Sequence, residues 1–176
     1  MEKTPSGNSL VLSIAPVSRG FGYAFFEGLD VLVDWETRDM HVTRDPEEKN
    51  RRSLAAIETL LARGPAAVAL PAWDDKRRSA RVRKLIRATA ELATMHKLPV
   101  ATHTRAEIDE VFAGQGAKSR YEMARVACRM FPELLDELPR KRRLWDGEPF
   151  KMGMFQAIIL GIAHLALSKP PLTAPG

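Results

Sequence analysis

A chain of 176 residues, 45% hydrophobic and 28% charged, buries roughly 70% of its extended-chain surface, which excludes disordered and fibrous classes and any need for a staple. Its single cysteine, Cys128, excludes an internal disulfide framework and a cysteine-rich zinc site. The net charge of +5 divides unevenly: residues 1–75 carry 8 Lys/Arg against 12 Asp/Glu, a balance of −4, and residues 76–176 carry 19 against 10, a balance of +9.

The elements follow in chain order. Leu10 to Ile14 is a continuous apolar run, as in a strand covered on both faces. Gly22 to Glu27 is a second strand, and Gly28-Leu29-Asp30 connects it as a hairpin to a third, Val31 to Trp35. Pro46 to Arg63 reads as a helix, opened by Pro46 and Glu47-Glu48 and stopped by Gly64-Pro65. A short strand spans Ala67 to Leu70. A helix covers Lys76 to Lys97, with Val82, Leu85, Ile86, Leu92 and Ala93 on one stripe. Pro99 to Thr102 is a fifth strand, and helices fill about 104–113, 118–130 and 150–167.

This order describes an α/β domain at residues 9–168, a mixed five-stranded sheet flanked by helices, with 1–8 disordered and 169–176 flexible. The stretch from Met152 to Leu167 is too short for a membrane span of about 18 residues or more and contains His164. The start MEKTPSGNS lacks a signal-peptide profile. The expectation is a cytoplasmic protein with no membrane partner.

Four motifs in order resemble one family. Leu12 to Tyr23, LSIAPVSRGFGY, resembles the opening strand and turn, G-I-D-P-G-S-R-x-x-G-Y, of RuvC-type Holliday-junction resolvases. Gly114-Gln115-Gly116 with Lys118 resembles that family's G-x-G segment before a basic helix, and Met154 to Gly161 resembles its carboxyl-terminal D-A-x-A-L-A helix. A bacterial RuvC-like group is closer still: Arg142 to Ala157 is similar to its R-K-x-W-x-x-E-D-x-R-M-x-x-F-D-A stretch, and Phe131-Pro132-Glu133-Leu134 with Leu138-Pro139 also matches. The resemblance implies an RNase H-like fold and a nuclease that acts as a homodimer on DNA through two metal ions held by carboxylates.

The departures fall on those carboxylates. By the resemblance, the first-strand aspartate stands at Ala15, the fourth-strand glutamate at or near Pro71, and the last-helix aspartate at Gln156. A further acidic position, one turn earlier, stands at Gly153. Mg²⁺ and Mn²⁺ need charged oxygen ligands, which none of these residues supplies. Displaced candidates are Asp74 and Asp75 after the fourth strand and Asp146 and Glu148 before the last helix. Glu148 matches an acidic position of the closer group, whereas Asp74-Asp75 is placed as a helix N-cap pair. Asp34 reads as a solvent-facing strand residue. The expectation is therefore no cofactor, with Mg²⁺ or Mn²⁺ required only if relocated carboxylates restore activity.

Other chemistries have weaker signals. His41, His96, His103 and His164 show no metal-ligand spacing, and His164 reads as a core histidine on an apolar helix. Cys128 reads as a small core residue. The basic residues say more. Lys76, Arg77, Arg78, Arg81, Arg83, Lys84 and Arg87 occupy positions 76–87 with no acid among them. A second cluster is Arg140-Lys141-Arg142-Arg143, and a third is Lys118, Arg120, Arg125 and Arg129. Such spacing suits phosphate contacts along nucleic acid and equally suits solvated helix faces. Arg19, Arg77, Arg78, Arg81, Lys84, Arg87, Lys118, Arg120, Arg142 and Arg143 are the candidate nucleic-acid ligands.

Three functions stay open: a catalytically impaired RuvC-like protein that binds branched or structured DNA, an active divergent metal-dependent endonuclease, and a non-enzymatic protein-interaction scaffold.

Overall fold

The computed structural model describes residues 10–139 and 151–168. Strands β1 (Leu10–Val17), β2 (Gly20–Glu27) and β3 (Leu32–Asp39) are followed by α1 (Pro46–Leu61), β4 (Ala67–Pro71), α2 (Ala80–Met95) and β5 (Val100–His103). Then come α3 (Arg105–Ala113), α4 (Arg120–Met130), a 3₁₀ turn at Pro132–Glu137 and α5 (Met152–Ser168). The sheet order is β3-β2-β1-β4-β5, antiparallel across β3-β2-β1 and parallel across β1-β4-β5. It is the mixed, helix-flanked five-stranded sheet that the element order implies.

Alternation along the strands sorts the core into two layers. Leu12, Ile14, Phe21, Tyr23 and Phe25 point to the face covered by α1 and α2, where they meet Ile57, Leu61, Leu85 and Ile86. Ala15, Ala24 and Phe26 point to the opposite face, which α5 covers and α3 and α4 overlay. Each large apolar side chain so buried contributes about 1.5–3 kcal/mol.

Helix α5 is buried all round from Met152 to His164 except at Gln156, which is why its sequence shows no polar stripe. Its fit against the sheet is close. Ser13 Oγ donates to the Ala157 carbonyl at 2.6 Å, and a Cβ at Gly22 would stand 2.0 Å from the Gly153 carbonyl oxygen, so only glycine fits there. No helix among the described residues is long and apolar enough to cross a membrane.

Several boundaries differ from expectation. β1 and β3 run on to Val17 and Asp39, and β2 starts at Gly20 after a Ser18-Arg19 turn. Helix α2 starts at Ala80 rather than Lys76, and its N-cap is Ser79, whose side chain accepts from Val82 N. Asp74 and Asp75 are thus not its cap. The Asp75 carboxylate instead accepts the Arg77 backbone N–H at 3.0 Å, a local turn that competes with helix and leaves Lys76 to Arg78 in a loop. The terminal segments 1–8 and 169–176 lie outside the described residues, as do Arg142, Arg143, Asp146 and Glu148.

Candidate nucleic-acid interface

Parallel pairing sets the carboxyl ends of β1 and β4 side by side, and a crevice at such ends is where open α/β sheets take ligands. The α5 backbone crosses the same edge. As a result Ala15, Pro71 and Gln156 line one cavity of about 220 Å³. Three of the four positions singled out in sequence therefore meet in space. Gly153 does not line that cavity: it packs toward Thr37 and Val17, where a Cβ would come to 3.3 and 3.4 Å of their methyl groups.

The rest of the lining is cationic. Arg78 comes from the loop before α2, Arg105 from the first turn of α3, Lys118 from the loop just before α4 and Arg120 from its first residue. Among the described lining residues Asp109 is the one carboxylate. Apolar side chains, Ile108, Met123, Ile159 and Leu160, close the remaining walls.

One carboxylate serves three of the nearby guanidinium groups. Asp75 Oδ1 takes Arg77 Nε at 3.3 Å, and Asp75 Oδ2 lies 3.5 Å from Arg105 Nε and 4.0 Å from Arg78 Nε. The last two contacts are too loose for hydrogen bonds, and both Nε atoms are buried with no such partner. The Arg77 backbone N–H, with the Arg77 and Arg105 charges behind it, holds the Asp75 carboxyl below the usual range. Burial, aided by repulsion from Arg105, Arg120 and Arg77, pushes Arg78 downward from its ordinary value although Asp75 pulls the other way. Arginine keeps its proton even so, and the site holds several positive charges at close quarters.

That donor set does not fit a divalent metal pair. Mg²⁺ and Mn²⁺ sites gather several carboxylate oxygens, whereas this lining sets one carboxylate among four cations. Among the described residues no three His, Cys, Asp or Glu side chains come together as a metal-binding group. Asp74 is exposed and faces a different groove.

That second groove, of about 560 Å³, runs beside α2 and is lined by Trp73, Asp74, Lys76, Arg83, Lys84, Arg87 and Glu91. Trp73 is 41% exposed although it is a large apolar ring, so a stacking platform lies beside a row of cations. The basic run of the sequence thus splits. Arg83, Lys84 and Arg87 border the open groove, Arg78 turns into the cavity, and Arg81 does neither. The Arg81 guanidinium donates to the Val17 and Ser18 carbonyls at 2.9 Å each and to Asn50 Oδ1 at 2.8 Å, tying the β1–β2 turn to α1 and α2. Arg19 pairs with Asp39 at 2.7 Å on that turn.

Trp73 and Arg105 had no signal in the sequence, the first lying in a loop and the second alone at a helix start. The histidines hold another contact that only the fold creates. His103 Nε2 and His164 Nδ1, both 8% exposed, share a hydrogen bond of 2.9 Å between the end of β5 and α5, and His103 Nδ1 is buried without a partner. Burial pushes both imidazoles below their ordinary value. Cys128 is buried and its thiol is pushed up by burial, as suits a core residue. Asp34, read as solvent-facing, is half-buried and accepts from Tyr23 Oη at 3.1 Å and Arg63 at 2.8 Å.

No family model and no curated protein matches the sequence. Solved structures do match the fold. A Thermus thermophilus RuvC in complex with a Holliday junction substrate superposes with a TM-score of 0.66 at 19% identity, over 89% of this chain and 93% of that one. A second Thermus thermophilus RuvC structure gives a TM-score of 0.64 at 19% identity, over 88% and 92%. The described residues have the RuvC-like fold.

Proposed function

We propose that this chain is a RuvC-like nucleic-acid-binding protein impaired as a nuclease, with branched or structured DNA as its ligand and a homodimer as its working form. The observation that carries the reading is a reversal of charge at the carboxyl ends of β1 and β4. Where the sequence resemblance puts metal-binding carboxylates, Ala15, Pro71 and Gln156 share a cavity with Arg78, Arg105, Lys118 and Arg120.

The chemistry follows from charge. Two-metal hydrolysis needs carboxylates to hold the ions that activate water and stabilise the leaving oxygen. Holding a phosphate backbone needs only cations and the release of its counterions. The α2 groove, with Trp73, Arg83, Lys84 and Arg87, supports the second requirement, and among the described residues no carboxylate group gathers to support the first. The Thermus thermophilus RuvC of the same fold carries a Holliday junction substrate, which supports branched DNA as the ligand class here.

The test is fluorescence anisotropy on a four-way junction, a duplex and a single strand, all with hydroxyl ends, in chelator and across a salt titration. Binding that weakens log-linearly with salt is expected. Absence of salt-sensitive binding to all three overturns the reading. Incision of the junction in Mg²⁺ or Mn²⁺, abolished by Asp74→Ala or Glu148→Ala, overturns the impairment and leaves a divergent nuclease. Sedimentation of the free protein tests the homodimer.

A further inference from the structure

We infer that the cavity at the ends of β1 and β4 is a metal-independent receptor for a terminal phosphate monoester, as on a strand end or a nucleotide. Arg78 and Arg105 act as its principal ligands. The inference rests on the proposed function only in naming nucleic acid as a source of that group.

Three observations converge. The first is charge balance inside a walled recess: among the described residues that line it, Arg78, Arg105, Lys118 and Arg120 stand against Asp109, a surplus of three positive charges before the Asp75 carboxylate behind Arg78 and Arg105 is counted. A phosphate monoester carries about −1.5 to −2 at pH 7 and presents three acceptor oxygens, whereas an internal diester carries a single charge. The dianion matches the surplus better. It also enters a partly open recess by one ester link, where an internal diester needs room for two.

The second observation is unmet hydrogen bonding. Arg78 is 17% and Arg105 30% exposed in the side chain, and both lean on one Asp75 oxygen at 4.0 and 3.5 Å. Their Nε atoms are buried and unpartnered. Buried charged donors left unsatisfied cost free energy, and an oxyanion between them recovers it through charge-assisted bonds. Guanidinium groups suit the task because their planar fork matches phosphate oxygens in pairs.

The third observation is what is missing around them. Ala15 and Pro71 are apolar and Gln156 is a neutral amide, so the sheet side of the cavity presents no negative charge to repel an anion. A carboxylate at any of these positions would do so, and would neutralise the arginines as well. The same three neutral residues that fail a cation therefore suit an anion.

The experiment is calorimetric titration of the intact protein, in chelator, with inorganic phosphate, a nucleoside 5′-monophosphate, the unphosphorylated nucleoside, and short oligonucleotides with 5′-phosphate or 5′-hydroxyl ends. Expected is binding of every ligand that bears a monoester or free phosphate, with the 5′-hydroxyl oligonucleotide weaker by about 10-fold or more. Arg105→Gln should weaken monophosphate binding by about 10-fold, through loss of a charged hydrogen bond. Gln156→Glu, which keeps every cation and sits at a half-exposed position, should do the same without changing the melting temperature.

Equal affinity for 5′-phosphate and 5′-hydroxyl strands overturns the inference, as does binding that appears only with Mg²⁺ or Mn²⁺. Monophosphate binding untouched by Gln156→Glu and by Arg105→Gln also overturns it. Phosphate binding without junction binding leaves this site standing and removes the proposed function. Junction binding without phosphate binding does the reverse.

Discussion

The cavity and the α2 groove are both basic, yet they are built in opposite ways. In the cavity, Arg78 and Arg105 are mostly buried, share the Asp75 carboxylate and are walled by β1, β4, α3, α4 and α5. In the groove, Lys84 and Arg87 are exposed on one helix and Trp73 lies open beside them. Partial burial of the arginines makes a bond to an anion in the cavity stronger than one in open solvent, and fixed geometry makes it selective. Charges in the groove are screened by salt within a Debye length of about 8 Å at physiological ionic strength, so they give affinity that adds up along a backbone without selecting one group. One run of sequence, positions 76–87, supplies cations to both.

The largest expected effect separates the two regions. Replacing Arg83, Lys84 and Arg87 together by alanine removes up to three phosphate contacts. Affinity for hydroxyl-ended junction should then fall by about 10²-fold near 50 mM salt, and the slope of log K against log salt should shrink by about 2 to 3. Phosphate monoester binding in the cavity should be unchanged, and stability should hold within about 0.5 kcal/mol. Anisotropy and calorimetry on the same preparation measure both. A parallel loss of monoester binding would merge the two regions into one site.

Arg81 lies between them and should behave like neither. Its three hydrogen bonds go to backbone carbonyls of Val17 and Ser18 and to Asn50, and burial pushes its guanidinium below the ordinary value. Arg81→Ala leaves those acceptors unmet and should cost about 2 kcal/mol of folding stability, read by urea denaturation. The salt slope for DNA should stay as it is. A lowered slope with unchanged stability would put Arg81 among the groove's ligands and widen the groove toward the β1–β2 turn.

These divisions were only partly legible in the sequence. The continuous apolar run of β1, the Gly28-Leu29-Asp30 hairpin after β2, the glycine and proline stops and the apolar last helix are local signals, and they place each strand and helix within a few residues. The onset of α2 was misplaced because the stripe of Val82, Leu85 and Ile86 continues the pattern of a basic run, while the Asp75–Arg77 turn that interrupts it is a choice between two local hydrogen-bond schemes. Ala15, Pro71 and Gln156 could be singled out by resemblance, and the fold brings them together. Arg105 could not, because its role comes from β5 ending beside β4, a pairing that no spacing in the chain encodes. For the same reason one acid-free run of arginines could not be divided among cavity, groove and backbone tether.

The smallest effect concerns acid, and it too should fall on one region. His103 lies two residues before Arg105 at the start of α3, and His164 stands one turn beyond Leu160 of the cavity wall. Their shared hydrogen bond of 2.9 Å joins the end of β5 to α5, which carries part of the cavity wall, and no histidine lines the groove. Burial disfavours the charged imidazole in both, with His103 adding to the effect at His164 and Glu107 partly opposing it at His103. The folded protein therefore binds fewer protons here than the unfolded chain, whose histidines titrate near pH 6.5, at about their ordinary value. The stability this pair contributes is complete above that pH and is lost as pH falls below it toward the folded values. The loss should be no steeper than about 1.4 kcal/mol per pH unit for each histidine. Thermal melts at pH 7.5 and 5.5 measure it, and a His103→Gln/His164→Gln double variant should flatten the difference. An equal fall in wild type and variant would leave the histidine pair as ordinary core packing with no part in the acid sensitivity.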